Sequence, residues 1–339
     1  MEQIKVGVIG CGYWGPNLIR NFVEIPSSDV VIVADLRDER LSHIKACYQQ
    51  IAVTKNYRDL FAQDLDAVVI ATPPSTHYQF ARECLERGLH VLVEKPMTIK
   101  SEHAEELVAL AQANCLKIMV GHTFEYNVAV HTLKHLIDSG ELGQIYYVDA
   151  ARLNLGLFQR DLNVLWDLAP HDISILLYIL GRTPLSVNAH GMPFVFEGIH
   201  DVVYMDMMFP DNILAHIHVS WLDPCKVRRV TVVGSKKMVV YNDVSSLEKI
   251  KIYDKGVEKP PYTESFGDFQ CSYRYGDVLV PNIRFSEPLR QECQHFIDCI
   301  NSGCEPQSNG LDGLEVVKVL EAAQRSLDKN GVHHEVIAW

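Results

Sequence analysis

The chain has 339 residues, 47% of them hydrophobic, so it is long enough to bury a large core and is most simply divided into two domains. Its 43 acidic and 31 basic side chains give a formal net charge of -12, which disfavours nucleic acid and anionic membranes as partners because both attract positive charge. The nine cysteines form no CxxC pair, and the N-terminus carries neither a signal-peptide pattern nor a long apolar run, so we expect a cytoplasmic protein with reduced thiols and no zinc site.

Residues 1–122 alternate short apolar runs with amphipathic segments. Near-continuous Val/Ile/Leu runs are typical of strands buried on both faces of a parallel sheet; they cover 4–10, 29–35, 66–72, 90–95 and 117–122. Amphipathic helices are predicted between them, among them 76–88 and 101–115. This βαβ repetition predicts an α/β domain with a doubly wound Rossmann sheet.

Residues 123–339 have a different pattern, which predicts an α+β domain. After a helix at 128–139, long alternating segments indicate a large open sheet that is mainly antiparallel. Two amphipathic helices, at 288–303 and 313–331, each end at a glycine and are candidates for packing back on the Rossmann domain. The two-faced sheet favours a homo-oligomer, either a dimer or a larger assembly such as a tetramer.

The segment VGVIGCGYWG, residues 6–15, contains the pattern GxGxxG directly after the first predicted strand. Gly10, Gly12 and Gly15 allow a tight turn, close approach of the backbone to a pyrophosphate, and close packing of the next helix on the strand. The N–H groups of Tyr13 and Trp14 open that helix toward phosphate, and their rings are placed to close over a cofactor. A purely structural glycine turn is the alternative, which the flanking strand and helix disfavour.

Asp35 stands 20 residues after Gly15, at the end of the second predicted strand, where a carboxylate accepts hydrogen bonds from both ribose hydroxyls. Because the same charge repels a 2′-phosphate, the sequence predicts NAD as the cofactor. Arg37 and Arg40 keep NADP as the less favoured alternative, since a guanidinium pairs well with phosphate.

Three further motifs lie at the C-terminal ends of predicted strands or just after them, where catalytic residues are expected: ATPPSTHYQFA (71–81), EKP (94–96) and DLAPHDIS (167–174). Together with the glycine motif and the closing DGLEVVKVLEAAQRS segment, they resemble the Gfo/Idh/MocA family, named for glucose-fructose oxidoreductase and inositol dehydrogenase. The resemblance covers nearly the whole chain. It implies an N-terminal Rossmann domain that binds NAD(P) and a C-terminal open sheet that lines a sugar site and commonly forms an oligomer interface.

Lys95 stands at the end of a predicted buried strand, beside Glu94 and before a proline, where an ammonium group is costly unless it faces a cleft. An exposed lysine that opens a loop is the alternative. In the family the EKP lysine points between nicotinamide and substrate, and its bond to proline is often cis, so the resemblance implies both for Lys95 and Pro96. It also places Glu94 near the ribose or nicotinamide. A cation in this position lowers the pKa of a hydroxyl being oxidised and relays its proton.

Asp167 and His171 are four residues apart, so on a helix they project from one face. Pro170 fits only a first helical turn, which predicts a helix that begins near Asp167 and runs to Gly181. The helix dipole would then keep His171 neutral and able to act as a base. From the residues alone, a capping Asp167 and an interior His171 are the alternative, but the family's aspartate-xxx-histidine motif implies that both face the substrate.

The resemblance also places the loop after residues 66–72 along the cofactor. Its candidate contacts are Thr72, Pro73 and His77, although His77 is also compatible with a surface position at a helix start. The segment 121–127 ends the Rossmann half, and His122, Tyr126 and Asn127 are candidates for the nicotinamide and sugar end. Packed aromatic side chains at a hinge between domains are the alternative for that segment.

Arg152, Asn154 and Asn163 precede the Asp167 helix and are candidates for lining the sugar site, whereas Arg152 and Arg160 are also compatible with surface salt bridges. The predicted reaction is reversible hydride transfer between a secondary sugar hydroxyl and nicotinamide. In it, His171 exchanges the hydroxyl proton, Lys95 polarises the oxygen and Asp167 orients the sugar. The sequence is compatible with either Lys95 or His171 as the main proton carrier.

The order RLN (152–154) followed by WDLAPHD (166–172) is most similar to the family's branch that acts on nucleotide-linked sugars, such as UDP-sugar 3-dehydrogenases. Many members of that branch carry a glycine pair where this chain has Leu165 and Trp166, so a free sugar or polyol is the chief alternative substrate. A non-catalytic NAD-binding sensor on the same fold is the second alternative. The joint presence of Lys95, Asp167 and His171 favours the enzyme.

Overall fold

A computed structural model describes residues 3–258, 271–284 and 286–336 of the chain. The chain divides into two compact units, Met1–Tyr126 with Ser286–Lys318 and Asn127–Phe285 with Val319–Trp339. The boundary between folding domains after residue 122 stays a prediction. Among the helices in the described ranges, none is long and apolar enough to cross a bilayer.

The first unit alternates strands and helices, as the sequence predicts. They are β1 (Ile4–Ile9), α1 (Gly15–Glu24), β2 (Ser28–Ala34), α2 (Asp38–Cys47), β3 (Ala52–Thr54), β4 (Ala67–Ile70), α3 (Pro74–Glu86), β5 (His90–Val93), α4 (Ser101–Ala113) and β6 (Ile118–Val120). Within the described residues the strands form one parallel sheet in the order β3-β2-β1-β4-β5-β6. This order confirms the Rossmann fold. The strand β3 was not predicted from the sequence.

The core of the first unit lies between this sheet and its helices. Val6 of β1 and Phe22 of α1 are fully buried in it. Helix α7 (Pro288–Ser302) also contributes, because Phe296 meets Phe22 edge to face with ring centroids 6.4 Å apart. Helix α8 (Gly310–Asp328) follows and continues into the second unit. The glycine-rich loop between β1 and α1 is therefore mounted on a well-packed scaffold.

The second unit is built on a larger sheet. Its elements are α5 (Val128–Asp138), β7 (Ile145–Leu155), α6 (Val164–Leu180), β8 (Ser186–Met192), β9 (Val202–Phe209), β10 (Ile213–Ser220), β11 (Leu222–Gly234), β12 (Met238–Asn242), β13 (Ile250–Glu258), β14 (Ser272–Leu279) and β15 (His334–Glu335). Nine strands of the described residues pair in the order β14-β13-β12-β11-β7-β10-β9-β8-β15. Of these described pairs only β7 with β10 is parallel, so the predicted, mainly antiparallel sheet is confirmed.

The two faces of the larger sheet differ in exposure. Along β9 the side chains of Val203, Met205 and Met207 are buried, and those of Tyr204 and Met208 alternate with them on the exposed face. Helix α6 packs against β7, β9 and β10. The side chains that α6 carries are thus held on a rigid sheet.

Helix α6 begins earlier than the sequence predicted. Its first residue is Val164, and Asn163 is the N-cap, whose Oδ1 accepts the Trp166 N–H at 3.3 Å. The predicted start near Asp167 is therefore wrong. Pro170 lies inside the helix, where it has no N–H to donate to the carbonyl four residues earlier. Pro170 is therefore tolerated beyond the first turn of this helix, contrary to the prediction.

This earlier start changes the electrostatics of His171. The residue lies about two turns into α6, whereas the helix dipole acts mainly within the first turn. The predicted dipole effect on His171 is therefore wrong. The end of the helix agrees with the prediction, because Gly181 caps it with a left-handed φ of 64°.

Candidate active site

The glycine loop between β1 and α1 has the shape that a dinucleotide requires. Gly10 has a φ of +101°, and a Cβ there would lie 2.5 Å from the Ala71 carbonyl oxygen. A Cβ on Gly15 would overlap the Gly10 carbonyl oxygen, so close helix packing requires glycine there. A Cβ on Gly12, in contrast, would meet only Arg37 Nη2, at 3.8 Å. The open surface above Gly12 is where the pyrophosphate of NAD would approach the backbone.

Asp35 directly follows β2 and lies beside this loop. Its Oδ2 accepts the Cys11 N–H at 2.7 Å, and its Oδ1 accepts the Arg37 N–H at 2.9 Å and the Arg37 Nε–H at 3.3 Å. Burial raises the pKa of Asp35, but these hydrogen bonds and the Arg37 charge outweigh it and hold the pKa below its ordinary value. Asp35 is thus ionised at neutral pH, as a ribose-binding carboxylate must be. Arg37, which kept NADP as an alternative, is engaged with Asp35.

The two aromatic residues inside the glycine motif differ in exposure. Tyr13 is 83% exposed, whereas Trp14 is half-buried and precedes the first residue of α1. The Trp14 side chain lies close enough to Glu94 to lower the pKa of that carboxyl. Trp14 therefore links the glycine loop to the end of β5.

The loop between β4 and α3 is held by side-chain hydrogen bonds. Thr72 Oγ1 lies 2.7 Å from Thr76 Oγ1, and the Thr76 hydroxyl donates to the Pro73 carbonyl at 2.7 Å. Pro73 is exposed, and Thr72 is half-buried. Their predicted contacts with the cofactor stay predictions, and the positions leave both accessible.

His77 connects this loop to the turn after β5. It is fully buried, with Nδ1 2.9 Å from the Pro96 carbonyl oxygen and Nε2 2.8 Å from the Thr72 carbonyl oxygen. Burial and the nearby Lys95 charge lower the pKa of His77, whereas the two carbonyl contacts raise it. Because both partners are carbonyl oxygens, a neutral ring donates to one of them and only a protonated ring donates to both. This position accounts for His77 as a residue that holds two loops together. Its predicted contact with the cofactor stays a prediction.

Lys95 lies two residues after β5, with its side chain half-buried. Its peptide bond to Pro96 is cis, as the resemblance implies. Glu94 is buried, and its Oε2 accepts the Lys95 N–H at 3.3 Å. Burial raises the pKa of Glu94 to about 7, against the lowering effects of the Lys95 charge and the Trp14 side chain. Trp14, Glu94 and Lys95 thus gather at the carboxyl end of the sheet, where open α/β folds bind ligands.

His122 and Tyr126 are buried in the first unit. Burial and the Lys95 charge lower the pKa of His122 to about 3, so the ring is neutral at physiological pH. The Tyr126 hydroxyl lies 3.2 Å from Ser308 Oγ, and its ring is part of the core. The packing of Tyr126 favours the alternative of packed aromatic side chains. The predicted ligand contacts of both residues stay predictions.

Asn127 begins the second unit and caps α5. Its Oδ1 accepts the Ala129 N–H at 2.9 Å, and its Nδ2 donates to the Tyr241 hydroxyl at 3.1 Å. These bonds give Asn127 a structural role at the start of the helix.

Asp167 and His171 both lie on α6, half-buried and on one face of the helix. Trp221, immediately after β10, donates its Nε1–H to Asp167 Oδ2 at 2.9 Å. Trp221 is 1% exposed, so it fixes the position of that carboxylate. Trp221 was not among the residues predicted from the sequence. A tryptophan in an apolar strand could have indicated it, since a buried indole N–H requires an acceptor.

Arg152 of β7 forms a buried ion pair with Asp172 of α6. The two bonds join Nε to Oδ2 at 2.7 Å and Nη2 to Oδ1 at 3.0 Å. Arg152 is 5% exposed and Asp172 2%, so the salt bridge anticipated as an alternative exists but lies in the interior. It anchors α6 beside His171. Asn154, also on β7, is half-buried, and substrate contact by either residue stays a prediction.

Asn163 uses its side chain within the chain itself. Besides capping α6, its Nδ2 donates to Gln324 Oε1 at 2.9 Å, and Trp166 Nε1 donates to the same oxygen at 3.1 Å. Trp166, which stands where many nucleotide-sugar enzymes carry glycine, thus ties α6 to α8. The predicted contact of Asn163 with the sugar stays a prediction.

Comparison with known proteins identifies the family. Residues 4–122 match a model described as an oxidoreductase family with an NAD-binding Rossmann fold, and residues 130–240 match the GFO/IDH/MocA C-terminal domain. The UDP-N-acetylglucosamine 3-dehydrogenase of Acidithiobacillus ferrooxidans is 28% identical over 285 residues, which cover 84% of this chain and 87% of that protein. The scyllo-inositol 2-dehydrogenase (NAD(+)) of Bacillus subtilis is 25% identical over 347 residues, which cover 98% and 96%.

The solved structure of a UDP-N-acetylglucosamine 3-dehydrogenase from Acidithiobacillus ferrooxidans is similar in fold. It has a TM-score of 0.81 at 23% identity and covers 97% of this chain and 99% of that one. The fold, the glycine loop and the two family models agree with one another. The chain therefore belongs to the Gfo/Idh/MocA family of oxidoreductases, and its first unit contains that family's NAD-binding Rossmann domain.

Proposed function

We propose that this oxidoreductase transfers a hydride between a secondary hydroxyl of a nucleotide-linked sugar and the nicotinamide of NAD. When bound, NAD supplies the hydride acceptor or donor. Lys95 polarises the reacting oxygen, and His171 exchanges the hydroxyl proton. Asp167 holds a neighbouring hydroxyl and so orients the sugar ring. Membership of an oxidoreductase family favours this enzyme over a non-catalytic sensor.

The position of Lys95 is the observation that carries the proposal. Its half-buried side chain stands at the carboxyl end of β5, next to Glu94. Glu94 in turn interacts with the side chain of Trp14, which belongs to the glycine loop. An ammonium group there stabilises the negative charge that develops on a hydroxyl oxygen as its proton leaves. When it is ionised, the buried Glu94 offsets the charge of Lys95.

An aromatic patch beside Asp167 favours a nucleotide-linked sugar over a free polyol. We define this patch as Phe158, Phe196 and Arg160. The Phe158 ring lies 5.6 Å from that of Trp221, which bonds to Asp167, and 6.1 Å from that of Phe196. The Arg160 guanidinium lies 5.9 Å from the Phe196 ring centre. Aromatic faces stack nucleobases and a guanidinium pairs with a diphosphate, groups that a polyol lacks.

A free inositol or sugar is the second candidate. It is supported by the relative that is a scyllo-inositol 2-dehydrogenase and by the departure at Leu165 and Trp166 from the glycine pair of many nucleotide-sugar enzymes.

The choice is tested by mixing the purified protein with NAD and a panel of UDP-sugars and polyols, with nicotinamide absorbance as the readout. We expect reduction by a UDP-sugar, and a KM for it that rises about tenfold in Arg160→Ala, the effect of losing a hydrogen bond to a charged group. Arg182→Ala is the matched control, since that exposed arginine pairs with Asp211. Reduction by polyols alone would contradict the nucleotide-linked substrate, and NAD binding without reduction by any compound would contradict the dehydrogenase.

A further inference from the structure

Glu292 is a buried carboxyl that the proposed reaction does not use. It lies on α7 with no exposed surface, and within the described part of the chain neither of its oxygens has a partner in good hydrogen-bond geometry, although the Thr123 side chain lies near enough to act on its pKa. Burial and the nearby Glu94 raise the pKa of Glu292 well above its ordinary value, and Thr123 lowers it to a smaller extent. Because an isolated carboxylate is very unfavourable in the interior, Glu292 keeps its proton.

Glu94 has the complementary deficiency. Its Oε2 accepts the Lys95 N–H and lies 3.0 Å from the position that a Cβ on Gly121 would occupy. Its Oε1 is buried and accepts no hydrogen bond in good geometry from any described residue. A carboxylate oxygen in that setting requires a donor. Glu292 has a proton to donate.

The two carboxyl groups lie in one region of the first unit. Helix α7 packs against the turn formed by residues 123–126, which follows Gly121 directly, and Gly121 contacts Glu94. Cys293, the neighbour of Glu292 in the chain, also lies near both carboxyls. Burial and then the charges of Glu292 and Glu94 raise the pKa of its thiol. Both carboxyls therefore face the same interior.

The surrounding charges decide which carboxyl is ionised. Lys95 is adjacent to Glu94 in the chain and favours its ionised form. His122 is neutral at physiological pH and supplies no positive charge, and Glu125 is a further buried acid whose own pKa is raised by burial and by its acidic neighbours. Two nearby buried carboxyl groups do not both ionise readily, and the Lys95 charge favours Glu94 as the one that carries the negative charge.

We infer that Glu292 donates its carboxyl proton to the Glu94 carboxylate and thereby acts as a positioning residue for Lys95. The pair then carries one negative charge, which balances the Lys95 ammonium group. The bond is of the O–H to carboxylate type, which is short and strong. Only the assignment of Lys95 to the reaction rests on the proposed function, and the pairing itself does not.

Infrared spectroscopy of the purified protein tests the pairing without any substrate. At neutral pH, the difference between wild type and Glu292→Gln should contain the C=O band of one protonated carboxyl group. Glu94→Gln should shift that band to higher frequency, because an amide oxygen is a weaker acceptor than a carboxylate. A lost carboxylate band in Glu292→Gln, or an unmoved C=O band in Glu94→Gln, would overturn the inference.

Turnover then tests the link to Lys95, using a sugar that reduces NAD. Glu292→Gln keeps a donor and should retain most of kcat, whereas Glu292→Met should lower kcat about tenfold and move the acid limb of the pH profile upward, with the KM for NAD little changed. Glu125→Gln is the control for removal of a buried carboxyl. Equal losses in Glu292→Gln and Glu292→Met would indicate a merely structural role and overturn the positioning role, and an inactive wild type would instead contradict the proposed function.

Discussion

The hydrogen bond from Trp221 to Asp167 holds in place the carboxylate that we assign to sugar binding. An aspartate on a helix has several rotamers, and a fully buried indole restricts it to one. Positioning of this kind affects turnover because a reacting group displaced by a fraction of an ångström loses much of its effect.

Trp221→Phe should therefore lower kcat/KM for the sugar by about tenfold, the effect of losing a hydrogen bond to a charged group, and leave NAD affinity unchanged. Trp166→Phe is the control. Trp166 lies on α6 with Asp167, and this change removes its indole hydrogen bond to Gln324 and leaves the bond to Asp167 in place. Equal effects of the two substitutions on kcat/KM would contradict the positioning of Asp167 by Trp221.

Lys95→Met and His171→Asn should each lower turnover by orders of magnitude while NAD binding persists, because both groups act on the hydroxyl proton and oxygen rather than on the dinucleotide. NAD affinity is measured by calorimetry and turnover by nicotinamide absorbance. Near-normal turnover in either variant would remove that residue from the mechanism.

At the scale of elements, the loop between β1 and α1 assigns different tasks to its glycines. Gly15 permits helix packing, since a Cβ there would overlap the Gly10 carbonyl oxygen, whereas Gly12 leaves an open surface for the cofactor. The same residue type is thus required in one position by the fold and in the other by the ligand.

Gly15→Ala should lower the thermal midpoint of the protein by several degrees, through a backbone clash of a few kcal/mol. Gly12→Ala should leave the midpoint nearly unchanged and weaken NAD binding at least tenfold, through lost approach of the pyrophosphate. Scanning calorimetry with and without NAD separates the two effects. A Gly12→Ala variant with wild-type NAD affinity would show that the pyrophosphate does not approach there.

How far the sequence predicts these elements depends on the length of their patterns. The pattern of buried parallel strands recurs over many residues, and the glycine motif directly follows the first of them, so the Rossmann sheet could be predicted. The start of α6 did not, because an asparagine cap and an internal Pro170 are single-residue signals that tertiary packing overrides. Glu292 was not predicted either, since a lone glutamate in an amphipathic helix looks like a surface residue until α7 is seen to pack on the core.

At the scale of the whole molecule, buried acids make stability depend on pH. Burial raises the pKa of Asp312 from 3.8 to about 6. An acid whose pKa is raised in the folded state stabilises the protein when the pH is below the acid's ordinary pKa. This contribution is lost as the pH rises through the pKa of the folded state.

Asp312→Asn should therefore gain stability relative to wild type between pH 3.8 and about 6, by about 1 to 2 kcal/mol once partial exposure is allowed for. Thermal unfolding of both proteins across that range measures the difference. A difference in stability between the two proteins that does not change with pH would contradict the raised pKa of Asp312.

The proposed function requires that a sugar carbon gives its hydride to the nicotinamide beside Lys95. The experiment mixes UDP-N-acetylglucosamine that carries deuterium on its ring carbons with NAD and the protein and analyses the reduced cofactor by mass spectrometry. We expect one deuterium in the reduced cofactor from wild type and none from Lys95→Met. Reduced cofactor without deuterium, or label transfer that is unaffected by Lys95→Met, would contradict the proposed function.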